Sequence, residues 1–338
     1  MTAPDPISLS PLRRRAFQWL VLCTVFWAFS FPAMKALALV QLPIVPGASS
    51  WFISSLSVMY RFLCAGILLV ILAFAEVKTI SAREFTQGLW LSLFTSAGIC
   101  LQMDGLAYTS ASTSAFLTQL YCVLIPLWVA VSRRQAPSRK ILLCSALVIA
   151  GMAVLVNLQW SALKLGRGEV ETLAASVMFA AQILCLEHPR YTANRPLCIT
   201  TVMLLGSGLF TLPLVAVTAP DLSACFRVYA SWPAMGLMAV VVLFCTLGAF
   251  LLMSRWQRRI SATEAGLIYS AEPVFVCALA LFLPGWLSSW AAVDYPNEHL
   301  TARLCVGGIL ITAANVLLQS RYLEANPLDS GSSNQPHL

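Results

Sequence analysis

The chain has 338 residues, of which 59% are hydrophobic and only 10% charged, and its mean hydropathy is +0.80. Soluble domains carry about 25% charged residues, so a water-soluble globule is excluded and a polytopic helical membrane protein is expected. The net charge of +7 has to be placed on loops before it can count as a signal for anionic partners.

Between the charges stand ten apolar stretches, each long enough or nearly long enough to cross about 30 Å of hydrocarbon. In chain order the predicted spans run near 17–39, 52–75, 86–106, 113–131, 141–158, 170–186, 197–217, 233–254, 263–283 and 303–320. A basic N-terminus, 1–16, precedes them. A tail rich in Asn, Ser, Pro and Gly, 322–338, follows and reads as disordered. Arg13-Arg14-Arg15 and the small-x-small run Ala36-Leu37-Ala38 could mark a secretory leader. The apolar run between them exceeds the usual core of about 7–15 residues and contains Pro32, so it is expected to stay as the first helix.

Fifteen of the 21 Lys and Arg residues fall on one side of this ladder, including Arg13 to Arg15, Lys78, Arg83, Arg133, Arg195, Arg255, Arg258 and Arg259. The other side holds Lys164, Arg167, Arg227 and Arg303, leaving Lys35 and Arg61 at or within spans. By the positive-inside rule both termini are cytoplasmic. The net charge is thereby explained by loops lying against an anionic lipid leaflet, without a nucleic-acid partner. Ten of the eleven cysteines fall in spans without a C-x-x-C pair, Cys225 lies in an outside loop, and the three histidines lie in loops or the tail. They read as packing residues, so no metal, disulfide or cofactor is expected.

An internal repeat is visible. A shift of 151 positions lays Thr95 on Thr246, Leu101 on Leu252, Ser110 on Ser261 and Ala111 on Ala262, and Tyr121 on Glu272. For the last helix of each half a shift of 162 pairs Leu155 with Leu317. The halves are 17–158 and 170–320, five spans each. An odd number makes the second half enter from the opposite side, the inverted-repeat architecture of secondary transporters.

The run Trp27-Ala28-Phe29-Ser30-Phe31-Pro32-Ala33-Met34-Lys35, Arg61-Phe62, Tyr108-Thr109-Ser110-Ala111-Ser112, Ile260-Ser261-Ala262-Thr263 and Ser270-Ala271-Glu272-Pro273 follow one another in the order of a known family. Over residues 17–320 the chain resembles the ten-helix EamA branch of the drug/metabolite transporter (DMT) superfamily. The resemblance implies an all-α fold of two five-helix repeats in a bacterial inner membrane and export of metabolites or amino acids. Departures are Ala28 where the family has Gly, and Val131-Ser132-Arg133 and Pro284-Gly285-Trp286 where it has Gly-Glu. Cys122 also stands at the position aligned with Pro273.

Intramembrane ionisable residues are costly and are therefore functional candidates. Arg61 and Glu272 each lie about 14 Å into their spans, whereas Lys35, roughly 27 Å along the first helix, and Asp104 reach the outer interface. Arg61 could bind a carboxylate or phosphate in a bidentate manner; the competing reading is a structural ion pair, with Glu272 as its partner. Glu272 could instead couple to protons or mark a hinge beside Pro273. Lys35 could bind an anion at the outer mouth or anchor the helix by snorkelling. Trp27, Phe31 and Lys35 share one face of the first helix, and Tyr121 joins the candidates through its alignment with Glu272. Pro32, Pro126 and Pro273 are candidate helix breaks, each freeing a backbone carbonyl. Gln102, Gln119, Gln182, Tyr269 and Asn315 read mostly as interhelical glue.

No catalytic histidine, metal motif or P-loop accompanies these residues. The expected function is secondary transport of a small solute by alternating access, outward and coupled to protons. The alternative is a membrane sensor or scaffold without transport. Assembly as a homodimer is left open.

Overall fold

A computed structural model describes residues 11–132, 134, 136–137, 139–155, 165–186, 188–259 and 268–324. Outside them lie the first ten residues, the expected span ends 156–158 and 263–267, Arg133, Lys164, the motif Ser261-Ala262-Thr263 and tail residues 325–338. Among the described residues the chain is all helix and turn, with no strand.

The longer helices among the described residues are α1 (Pro11–Gln41), α2 (Ser50–Leu72), α3 (Ala82–Gly105), α4 (Ala111–Ser132), α5 (Arg139–Leu155), α6 (Arg167–Leu186), α7 (Pro196–Thr218), α8 (Trp232–Trp256), α9 (Glu272–Ala280), α10 (Leu283–Ala291) and α11 (Ala302–Glu324). Their starts follow from local chemistry. Ser49 accepts from Phe52 N at 3.2 Å at the head of α2, Ser81 and Glu84 form a reciprocal capping box on α3, and Ser110 accepts from Thr113 N at 3.0 Å on α4. Pro196 opens α7, where its missing N–H is no loss.

Among the described residues six segments are long and apolar enough to cross a membrane, and a seventh results if α9 and α10, bent by 54°, count as one. The expected outside loop 284–302 therefore begins as a helix. It then runs without helix to residue 301, and Glu298 returns to accept from the first amides of α4, Ala111 N at 2.9 Å and Ser112 N at 3.4 Å.

Large apolar side chains such as Ile71, Leu72, Val217 and Trp232 cover the outside, while Arg61, Asp104, Gln119 and Thr246 are enclosed. This distribution suits a surface solvated by lipid tails, because polar groups there must find partners inside the bundle.

The packing is symmetric under exchange of the two halves. α2 packs on α7 and α5 on α11, each with its own counterpart, while α3 against α6 mirrors α8 against α1, and α4 against α6 mirrors α9 against α1. The self-paired contacts are reciprocal at atomic detail. A Cβ on Gly66 would stand 2.7 Å from Leu205 Cδ2, and one on Gly208 would stand 2.5 Å from Leu63 Cγ. Likewise Gly151 faces Ile311 Cγ1 at 2.7 Å and Gly307 faces Leu155 Cγ at 2.6 Å. These contacts equate Gly151 with Gly307, a shift of 156 rather than the expected 162. The expected register rested on one pair of leucines, which fit many positions on an apolar helix; a glycine that lets two backbones touch fits one.

Candidate functional site

Two helices of this bundle are interrupted at equivalent points. In α4 the helix pauses at Gln119 and Leu120 and restarts at Tyr121; before α9 it pauses at Ser270 and Ala271 and restarts at Glu272. Three backbone bonds of the first break recur in the second at the 151-residue shift. Leu120 N to Leu117 O, Val123 N to Leu120 O and Leu124 N to Leu120 O correspond to Ala271 N to Ile268 O, Val274 N to Ala271 O and Phe275 N to Ala271 O. Each break tightens one turn to i→i−3 bonding and leaves backbone groups to be satisfied from elsewhere.

The breaks face each other, and Gln119 joins them. Its Nε2 donates to Tyr269 O at 3.4 Å and to Glu272 Oε2 at 3.5 Å, while its Oε1 accepts from Cys122 Sγ at 3.4 Å. Tyr121 stands beside Gln119 and Glu272, and its ring packs with Cys122 and Ala180 towards α6. Trp27 of α1 closes the other side, tilted against the Tyr269 ring with centroids 5.2 Å apart and edge-on to Phe250 at 5.9 Å. The Tyr269 hydroxyl is held by Gln257 Oε1 at 3.0 Å. Glu272 is 9% exposed and Trp27 half-buried.

Trp27, Tyr121, Glu272 and Pro273 thus come together, whereas Arg61 and Lys35 do not join them. Arg61 Nε donates to Thr246 Oγ1 at 2.6 Å, Nη1 to Met34 Sδ at 3.0 Å and Nη2 to Cys245 O at 3.2 Å. All three nitrogens serve the protein, the residue is 3% exposed, and among the described residues no carboxylate pairs with it. The Arg61–Glu272 ion pair is therefore not formed. Arg61 instead braces a π-helical stretch of α8, Val241–Gly248, in which Thr246 Oγ1 also donates to Val241 O five residues back. Lys35 Nζ donates to Thr109 O at 2.5 Å, which occupies it on the α3–α4 connection.

The helix breaks fall elsewhere than two of the three expected prolines. Pro32 and Pro126 lie within continuous helices, and only Pro273 stands in the first turn after a break. A single proline removes one backbone bond, which a well-packed helix absorbs. The interruption in α4 forms where the Gln119 amide binds the opposite break. Gln119 was legible only as generic glue; the sign that could have singled it out is its alignment with Ser270, two residues before Glu272.

Ionic networks tie the two ends of the bundle. Arg167 pairs with Asp104 and with Glu171 at 2.7 Å, donates to the Tyr108 hydroxyl at 2.6 Å, and lies 4.3 Å above the Tyr108 ring. At the opposite end Arg195 forks onto Glu84 at 2.7 and 2.9 Å and reaches Thr79 O at 2.7 Å. The Arg195 guanidinium, and then the Ser81 and Arg195 amides, hold the Glu84 carboxyl well below the usual carboxylate range against the opposing effect of burial.

The EamA-like transporter family matches residues 14–157 and 167–293 of this chain. No curated protein matches it. Among 26 matching solved chains, one whose title says only that it is the crystal structure of a protein superposes with a TM-score of 0.53 at 14% identity. It covers 89% of this chain and 98% of its own, a likeness of fold alone.

Proposed function

Because the chain belongs to the EamA-like transporter family, we propose that it is a secondary transporter that exports a small metabolite or amino-acid-like solute by alternating access. In this reading ten helices cross the membrane, the six long segments being joined by α3, α5, α11 and the bent α9–α10 pair. The halves are 17–158 and 170–320, and both termini face the cytoplasm of a bacterial inner membrane.

The observation that supports it most is the pair of matched interruptions within α4 and just before α9, facing each other across Gln119. Discontinuous helices at corresponding positions of two inverted halves are where transporters bind their cargo. The reciprocal glycine contacts at α2–α7 and α5–α11 suit halves that exchange shapes about these seams. Glu272 is the proposed coupling group and Trp27 and Tyr121 line the path with it, while Arg61 braces α8. The cargo and protons are the small partners, in a lipid bilayer. Uptake of candidate metabolites into inside-out vesicles, with and without a pH gradient, tests the reading. Gradient-driven accumulation abolished by Glu272→Gln is expected, and no accumulation of any solute overturns it.

A further inference from the structure

A groove of about 580 Å³ runs between the first turns of α3 and the first half of α7, within the range of about 300–1,000 Å³ of clefts that hold small ligands. Phe85, Leu89, Val202, Leu205 and Leu209 line it, and Phe85 and Leu209 are half-exposed, so it opens on the outside of the bundle. Of its lining residues only Ser81 and Thr201 carry polar side chains, and both are engaged locally. Ser81 Oγ donates to Glu84 Oε2 at 2.9 Å, and Thr201 Oγ1 donates to Leu197 O at 2.9 Å. An ordered water needs two to four polar partners, which such walls do not offer. Left empty, the groove would forfeit the dispersion contacts of every side chain around it. In a membrane the filler at hand is hydrocarbon. The lining from Thr201 to Leu209 covers about 12 Å at 1.5 Å per residue, most of one leaflet's half of the roughly 30 Å hydrocarbon core.

The loop end of the groove, at Val77, Ile80, Ser81 and Ala82, is flanked by Lys78 and Arg83. Both are exposed, and among the described residues neither pairs with a carboxylate. The other charges nearby leave a positive balance: Glu84 answers Arg195, and Glu76 offsets one of the two remaining cations.

We propose that this groove seats one acyl chain of an anionic phospholipid, whose phosphate meets Lys78 and Arg83. Lipid tails resemble one another and the apolar walls equally, so selection among lipids falls to the head group and its charge. α3 comes from the first half of the chain and α7 from the second, and they pack directly on each other. A lipid seated between them therefore bridges the halves and stabilises this arrangement by mass action. Which leaflet supplies it rests on the orientation given above; the binding does not.

The test titrates the purified full-length protein in detergent with phosphatidylglycerol or with phosphatidylcholine of the same chains, counting bound lipid by native mass spectrometry and following thermal unfolding. Phosphatidylglycerol is expected to bind about tenfold more tightly and to raise the unfolding temperature. Replacing both cations, by Lys78→Gln with Arg83→Gln, should bring it down to the level of phosphatidylcholine. Ala82→Trp, a large side chain at an exposed position of the lining, should weaken both lipids several-fold. Equal binding of the two lipids by the wild-type protein overturns the site, whatever the variants do. A preference that survives the double substitution, or binding indifferent to Ala82→Trp, also overturns it. So does inorganic phosphate that raises the unfolding temperature as far as phosphatidylglycerol, since the chain would then add nothing. The measurement involves no gradient and no cargo, so its failure leaves the transport reading standing, and absence of flux leaves the lipid site standing.

Discussion

Arg61 Nε donates to Thr246 Oγ1 at 2.6 Å across 185 residues of sequence, fastening the middle of α2 to the π-helical turn of α8. The opposite half lacks this bond. The α2–α7 contacts make Met203 the counterpart of Arg61, and Thr95, the counterpart of Thr246, is left with a buried hydroxyl that has no hydrogen-bond partner among the described residues. Two threonines equivalent in the repeat therefore have opposite energetic roles.

Thr246→Val leaves the Arg61 Nε–H buried without its acceptor and is expected to cost about 1–3 kcal/mol. Thr95→Val removes a group that is already unpaired and should be neutral or stabilising. Thermal unfolding of the two variants side by side in one detergent checks this; equal losses would remove the assigned role of Arg61.

At the α5–α11 seam the neighbours are backbone as well as side chain. A Cβ at Gly151 would meet Gly307 O at 2.8 Å, and one at Gly307 would meet Gly151 O at 2.7 Å. Gly151→Ala and Gly307→Ala should each force the helices apart and cost about 1–3 kcal/mol. Because the contacts are reciprocal, the two variants should lower the unfolding temperature to a similar extent.

Arg167 holds the α3 end at Asp104 to the start of α6 and covers Tyr108. Arg167→Gln should loosen that end of the bundle. Alkylation of a Thr109→Cys variant in detergent is expected to speed up several-fold in the Arg167→Gln background, and an unchanged rate would show that the network does not close this end.

The Glu84–Arg195 fork makes stability depend on pH in a definite direction. Since the folded carboxyl is depressed below its ordinary 4.5, its stabilisation is fully present above that pH and is lost as the pH falls towards the folded value. The unfolding-temperature gap between wild type and Glu84→Gln should be widest near neutrality and shrink progressively below about pH 4.5; a gap that widens on acidification contradicts the ion pair.

Composition and the spacing of charges determined by themselves that this is a multi-pass helical membrane protein, because crossing hydrocarbon demands long apolar runs and leaves few places for Lys and Arg. The 151-residue shift was legible too, since equivalent helices of a repeat retain equivalent residues, and it already set Tyr121 opposite Glu272. Only the tertiary structure decided what those residues meet. Arg61 and Glu272 look like a matched pair in the sequence, being opposite charges at one depth, yet depth says nothing about which helix face a side chain occupies, and Arg61 turns to α8 while Glu272 turns to Gln119. The break in α4 was equally hidden: Pro126 signals one, but the interruption forms at Gln119, whose side-chain amide reaches across to Tyr269 O of the facing break, a partner that only the fold brings near.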